Sequence, residues 1–359
     1  MGYFKILIKN GRVFDGVDFL GKKDVLISGG KIEKINDLIN ENANFVFDVN
    51  GKIVSPGLID IHTHIYGVSN SNIGAPAESV CFPFGVTAVC DGCAELNDES
   101  FLKSLKTKIG VLVPAWVKEG ELDLKTTSEL LNKYGDFVVG VKAYFDEKVA
   151  DNTNISHLKE ICDYAQSRNI KVMVHCSNSP TGMKEIVNIL NKGDILTHIF
   201  HGGENNICLF NDYDAFKLAR EKGVILDAGF AGHVHTDFSV LEKAMADGWF
   251  PDTISTDITN LSAFIRGGRY GLTLCMSLCR HFGMREEDVL KAVTYSAAKA
   301  IGMPHLGRIR EGAVADIAVI SYGKNPFDFS HFVKNGAKGE LGYKCHLTLS
   351  DGQVVWRDF

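Results

Sequence analysis

Between residues 56 and 306 the chain alternates short apolar runs with segments whose apolar residues recur every three to four positions. The runs fall at 58–64, 86–91, 110–116, 137–144, 171–176, 194–198, 224–229 and 252–257. Nearly continuous apolar runs of this length read as strands buried on both faces, as parallel strands are. The segments between them read as helices. In one, Leu158, Ile161, Cys162 and Ala165 share a face, with Ser156 as the expected N-cap and polar residues 166–169 as the exit. Eight strands alternating with helices predict an α/β fold, a (β/α)8 TIM barrel.

Toward both ends the pattern changes to short strands cut by glycine-containing turns. They are expected at 5–9, 12–14, 25–28, 31–35 and 45–48, then at 316–321, 346–349 and 354–357. Asn10-Gly11 and Gly29-Gly30 read as turns, and Asp351-Gly352 as a hairpin. Neither end holds enough apolar residues for a core of its own. Residues 1–55 and 307–359 are therefore expected to pack together as one small β-sandwich domain, with the barrel, 56–306, inserted between them.

Composition narrows the function. Of 359 residues, 45% are hydrophobic and 23% charged, which is ordinary for a globular enzyme and excludes a disordered or fibrous chain. The net charge of −6 comes without basic runs, so neither nucleic acid nor an anionic membrane is an expected partner. A small-molecule substrate is. The start, MGYFKILIKNGRVFDG, reads as strand and turn rather than a signal peptide, and no run is apolar enough to span a bilayer. Nine cysteines scattered through apolar segments fit reduced core residues in a cytoplasmic protein. Cys90 and Cys93 form a CxxC that lacks a second pair. Apolar helix faces leave room for a homo-oligomer.

The chemistry is concentrated in Pro56-Gly57-Leu58-Ile59-Asp60-Ile61-His62-Thr63-His64. Alternate residues of a strand face one side, so His62 and His64 project together, as a pair of metal ligands must. Other expected strands also end in residues that can ligate a metal: Lys142, His175, His198 and Asp257. Catalytic groups of such barrels sit at the carboxyl ends of the strands. Lysine is the odd member, because ammonium offers no lone pair. Deprotonated in a desolvated site, Lys142 can add carbon dioxide, and the carbamate then offers two anionic oxygens able to bridge two metals.

The PGxIDxHxH segment, the Gly140-Val141-Lys142 strand, His175, His198 and Ser255-Thr256-Asp257, in that order, resemble the amidohydrolase superfamily in its binuclear subtype. The resemblance implies two divalent metal ions, with zinc expected. It places His62, His64 and Asp257 on the buried metal, carboxylated Lys142 between the two, and His175 and His198 on the more exposed one. It further implies hydrolysis of an amide or ester by a metal-bridging hydroxide, with Asp257 as catalytic proton shuttle. The stretch Thr197-His198-Ile199-Phe200-His201-Gly202 is similar to a subgroup whose members are often called dihydroorotase-like or adenine-deaminase-like, some thought to cleave acyl esters.

His201, three residues past His198, is the competing ligand; His198 is preferred because it ends the apolar strand. Dihydroorotases carry arginine two residues after the HxH, where this chain has Tyr66. Adenosine-type deaminases carry a HxxE motif that the segment Cys176-Ser177-Asn178 lacks. The expected substrate is a small, carboxylate-bearing amide or ester, with cyclic amides as the alternative reading and a deaminase, a lyase or a non-enzymatic scaffold behind it. Candidate substrate contacts are Tyr66, Tyr144, Asn178, His201, His233, Arg266 and Arg269, the arginines as carboxylate forks. His233 and His235 form a second HxH in a glycine-flanked loop, placed between substrate contacts and surface residues.

Overall fold

The computed structural model describes residues 4–69, 72–95, 99–147, 154–209, 213–232, 234–265, 270–331 and 336–358. Seven parallel strands, Leu58–Thr63, Val86–Asp91, Lys108–Ala115, Val138–Tyr144, Lys171–His175, Ile195–Thr197 and Ile225–Leu226, pair in chain order as one sheet. The first two are buried along their whole length, which is why they read as continuous rather than alternating apolar runs.

The segment 252–257, expected as the eighth strand, is not one. It touches both edges of the sheet through single bridges, Asp227 with Thr253 and Thr63 with Ile258. Ala228 N donates to Thr253 O, and His64 N to Ile258 O. The side chains explain the irregularity. Thr253 and Ser255 donate to the Asp227 carboxylate and Thr256 to Asp60, at 2.8, 2.6 and 2.6 Å. Asp257 then takes a left-handed backbone, φ 49°, that an extended strand does not contain.

Helices return the chain between strands. Ile155–Ser167 buries Leu158, Ile161, Cys162 and Ala165, the face read from the spacing. Its N-cap is Asn154 rather than Ser156: the Asn154 side chain accepts from Ser156 N at 3.0 Å. Among the described residues, no helix is long and apolar enough to cross a membrane.

Both ends of the chain meet in one eight-stranded sheet. Its order runs Gln353–Arg357, Lys338–Ser350, Ile317–Asp328, Ile53–Pro56, Lys5–Phe14, Phe19–Ser28 and Lys31–Asn36, with Phe45–Asp48 beside Lys5–Phe14. The N-terminal strands join the C-terminal ones where Ile53–Pro56 pairs antiparallel with Ile317–Ile320. Asn10-Gly11, read as a turn, lies inside one ten-residue strand as a register shift, with Asn10 at φ 57°. Asp351-Gly352 does join two antiparallel strands, with both residues at positive φ as a tight hairpin requires. Ile8, Val13, Val25, Ile27, Val54, Val319 and Leu347 share one apolar cluster between these strands. None of the nine cysteines is in a disulfide, and all are buried except half-buried Cys208.

Candidate metal centre

His62 is in the first parallel strand and His64 just past its end. Their Nε2 atoms lie 3.3 and 3.0 Å from Asp257 Oδ1. Asp257 is carried there by its own backbone, since its N–H donates to His62 O at 2.7 Å.

The other nitrogen of each ring is held by a hydroxyl. His62 Nδ1 is 3.2 Å from Thr197 Oγ1, and that hydroxyl donates to Asp227 Oδ2 at 2.7 Å. His64 Nδ1 is 3.0 Å from Ser69 Oγ, which donates to Asp91 Oδ1 at 2.8 Å. A hydroxyl has one proton to give, so in both pairs the imidazole Nδ1 is the donor and Nε2 carries the lone pair. The same holds for His198, whose Nδ1 donates to Gly229 O at 2.6 Å and whose buried Nε2 has no hydrogen-bond partner. The lone pairs of His64 and His198 thus converge on the Asp257 carboxylate with no proton between them, an arrangement that a cation relieves.

A second group forms beside the first. His175 lies 4.5 Å from both His198 and His235, ring centre to ring centre, and His198 lies 4.3 Å from His235. One ring nitrogen from each of these three lies within 4.8 Å of the others, and one ligand atom each from His62, His64 and Asp257 does the same. Asp146, fully buried, is 3.2 Å from His175 Nε2 and accepts from Ser177 Oγ and Asn178 Nδ2. Such partners orient a ligating ring and raise its basicity. His198 reaches its place through a left-handed backbone, φ 64°. Gly229 packs so closely under it that a Cβ there would lie 2.7 Å from His198 Nδ1.

Lys142 is completely buried, with Nζ 2.8 Å from His62 Nε2 and 3.4 Å from Met173 Sδ. Burial lowers its ammonium to about 8. Burial also keeps His62 and His198 well toward the neutral form, lowers His175, and takes His235 down to about 3. Burial opposes ionisation of Asp257, and positive charge at the His62 and His64 rings holds its carboxyl below the usual range; with those rings neutral, a bound cation would take that place. Neutral imidazoles beside an ionised carboxylate are the protonation states a divalent metal requires.

The six residues expected as ligands all belong to this cluster. A cavity of about 850 Å³ opens onto it, lined by His62, His64, Lys142, His175, His235 and Asp257 among others. Of the expected substrate contacts, Tyr144 lines the cavity. Tyr66 is exposed and does not line it. Asn178 holds Asp146 and faces a separate small cleft. His201 is buried, with Nδ1 accepting from Gly203 N at 3.0 Å, and does not line the cavity. His233, Arg266 and Arg269 lie outside the described residues.

Sequence reasoning gave His235 too little weight, although the second HxH was the signal for it. It passed over Ser69, Asp91, Asp146 and Asp227 entirely. Asp91 was legible by the rule that found the ligands, because it ends a parallel strand.

Side chains able to ligate metal, gathered at the carboxyl ends of curled parallel strands, make a site of the kind that metal-dependent barrel hydrolases use. The chain belongs to the amidohydrolase family, hydrolases of C–N bonds, and the family match covers residues 53–355. It is 31% identical over 344 residues to a protein of Enterococcus faecalis named deacetylase, spanning 89% of this chain and 90% of that one. Its fold resembles the crystal structure of a dihydroorotase, with a TM-score of 0.86 and 23% identity over 98% of this chain and 97% of that one. The crystal structure of an adenine deaminase matches with a TM-score of 0.85 and 24% identity, over 99% and 100% of the two chains. The chain thus stands in the part of the family that carries dihydroorotase and deacetylase names.

Proposed function

We propose that the protein removes a short acyl group from the nitrogen or oxygen of a small molecule, using two divalent metal ions. The observation that carries this reading is the pair of donor groups, His62, His64 and Asp257 beside His175, His198 and His235, opening into one cavity. The relative named deacetylase favours an open-chain acyl substrate over a cyclic amide.

In this reading His62, His64 and Asp257 hold one ion, and His175 and His198 hold the other with His235 as an added donor. Lys142, if carboxylated by carbon dioxide, would offer its carbamate oxygens to both. Zinc suits a set of imidazoles and carboxylates. Bound there, such ions supply Lewis acidity toward water and toward the substrate carbonyl. Asp257, with both carboxylate oxygens turned toward histidines, accepts the proton of the attacking water and returns it to the leaving nitrogen or oxygen. Ser69, Thr197 and the Gly229 carbonyl keep three rings in one tautomer throughout. Arg266 and Arg269 remain the proposed readers of a substrate carboxylate, with His233 and His201 as further contacts.

Residues 1–55 with 307–359 form, in this reading, a β-sandwich domain beside the barrel of 56–306. The enzyme is placed in the cytoplasm, where cysteines outside any disulfide stay reduced.

Protein reconstituted with zinc and bicarbonate is assayed for metal content and for turnover of N-acetyl and O-acetyl compounds, with hydantoins and dihydropyrimidines in parallel. Close to two metals per chain and turnover of the open-chain set are expected. Turnover of rings alone replaces the acyl reading with a cyclic amidohydrolase, and a chain that takes up no metal overturns both.

A further inference from the structure

Two aromatic residues follow the metal-facing strands and have no part in holding metal. Trp116 stands just past Lys108–Ala115, and Tyr144 ends Val138–Tyr144. Their rings stack with centres 4.6 Å apart and planes 3° from parallel, and both line the cavity. Trp116 Nε1 donates to Glu95 Oε1 at 2.9 Å, so the indole can neither spin nor slide. Tyr144 is buried, whereas Trp116 keeps accessible surface. One indole face is covered by Tyr144 and the N–H edge is held by Glu95, and the accessible surface that Trp116 keeps belongs to the lining of the cavity.

The same cavity is walled by Ile73, Val234 and Leu261, which remain 37, 54 and 39% exposed. Large apolar side chains left open around a polar floor mark a place for apolar ligand surface. Among the described residues no arginine lines this wall.

We propose that Trp116 is a specificity-determining residue that stacks on a flat apolar ring carried by the substrate on the far side of the scissile bond from the acyl group. The inference rests on the acyl-hydrolase reading above. Offset stacking contributes about 0.5–1.5 kcal/mol beyond burial, so a ring should be preferred over a saturated group of the same size by up to about tenfold.

Benzyl acetate and cyclohexylmethyl acetate test this, because their alcohols leave with similar ease and differ in flatness. The zinc-loaded enzyme is expected to favour benzyl acetate about tenfold in kcat/KM. Trp116→Leu should reduce that ratio to near one, while Trp116→Phe should retain most of it. A binding measurement stands apart from turnover. In a Trp249→Phe, Trp356→Phe background the remaining indole emission is that of Trp116. N-Benzylacetamide should change it at about tenfold lower concentration than N-(cyclohexylmethyl)acetamide. Equal response to the two amides, or a ratio unchanged in Trp116→Leu, overturns the proposal. Discrimination between the amides with no hydrolysis of either ester supports the stacking site and counts against the acyl-hydrolase reading instead.

Discussion

His64 Nε2 lies 3.0 Å from Asp257 Oδ1 although the His64 Nδ1 proton is committed to Ser69. Two lone-pair atoms at that separation suit a cation, and among the described residues Asp257 is the one carboxylate of that group. Asp257→Asn should retain fold and most of the metal yet lose turnover by about 10²–10⁴, the usual contribution of a proton-transfer group. Metal analysis and kcat on one preparation check it; near-normal kcat removes Asp257 from the proton path.

Ser69 acts on the metal through His64. Ser69→Ala removes the acceptor that fixes the ring and leaves Asp91 without that donor. Metal affinity is expected to fall about 10–100-fold, as for other partners of ligating histidines. Competition with a chromogenic chelator reads the change, and an unaltered affinity would show that the ring needs no such support.

Gly229 has φ 52°, and a Cβ there would stand 2.2 Å from Thr197 Oγ1. Gly229→Ala should destabilise the protein by about 1–3 kcal/mol, combining backbone strain with the displacement of Thr197 and His198. Denaturant unfolding of the metal-free protein measures it. Wild-type stability with wild-type metal content would contradict the packing described.

Lys142 must be an uncharged amine to take up carbon dioxide, and burial brings its ammonium down to about 8. The free amine is then about half the population at pH 8 and about one part in a hundred at pH 6. Reconstitution with zinc and bicarbonate should therefore yield more metal and more activity at pH 8 than at pH 6. A ¹³C-carbamate resonance from labelled bicarbonate should follow the same trend and vanish in Lys142→Ala.

His201 is buried and neutral, with its ring lowered from 6.5 to about 4 by burial first and by His175 second. Between those values the unfolded chain binds the extra proton, so its contribution is complete above pH 6.5 and is lost as pH falls toward 4. In metal-free protein, His201→Asn should remove stability loss on the order of 3 kcal/mol over that window. Urea titrations at pH 6.5 and 4.5 compare the two chains, and an identical pH slope would place His201 in contact with water.

The chain's local pattern determined a great deal. Strand-length apolar runs and the helical face of Leu158, Ile161, Cys162 and Ala165 follow from spacing alone, because burial on two faces and on one leave different periods. His62, His64, Lys142, His175, His198 and Asp257 were legible as a set because each ends such a run, and a parallel sheet brings run ends together. Tertiary structure decided what spacing does not encode. Segment 252–257 looks like a strand by composition, but its hydroxyls are drawn to Asp60 and Asp227, partners distant in sequence. His235 comes from a loop whose approach to His175 and His198 depends on where the seventh strand ends. Trp116 reads as the tail of an apolar run, and only its stacking on Tyr144 and its bond to Glu95 turn it into part of a wall. Periodicity reports which side of an element faces inward; which distant groups meet there depends on the closure of the sheet.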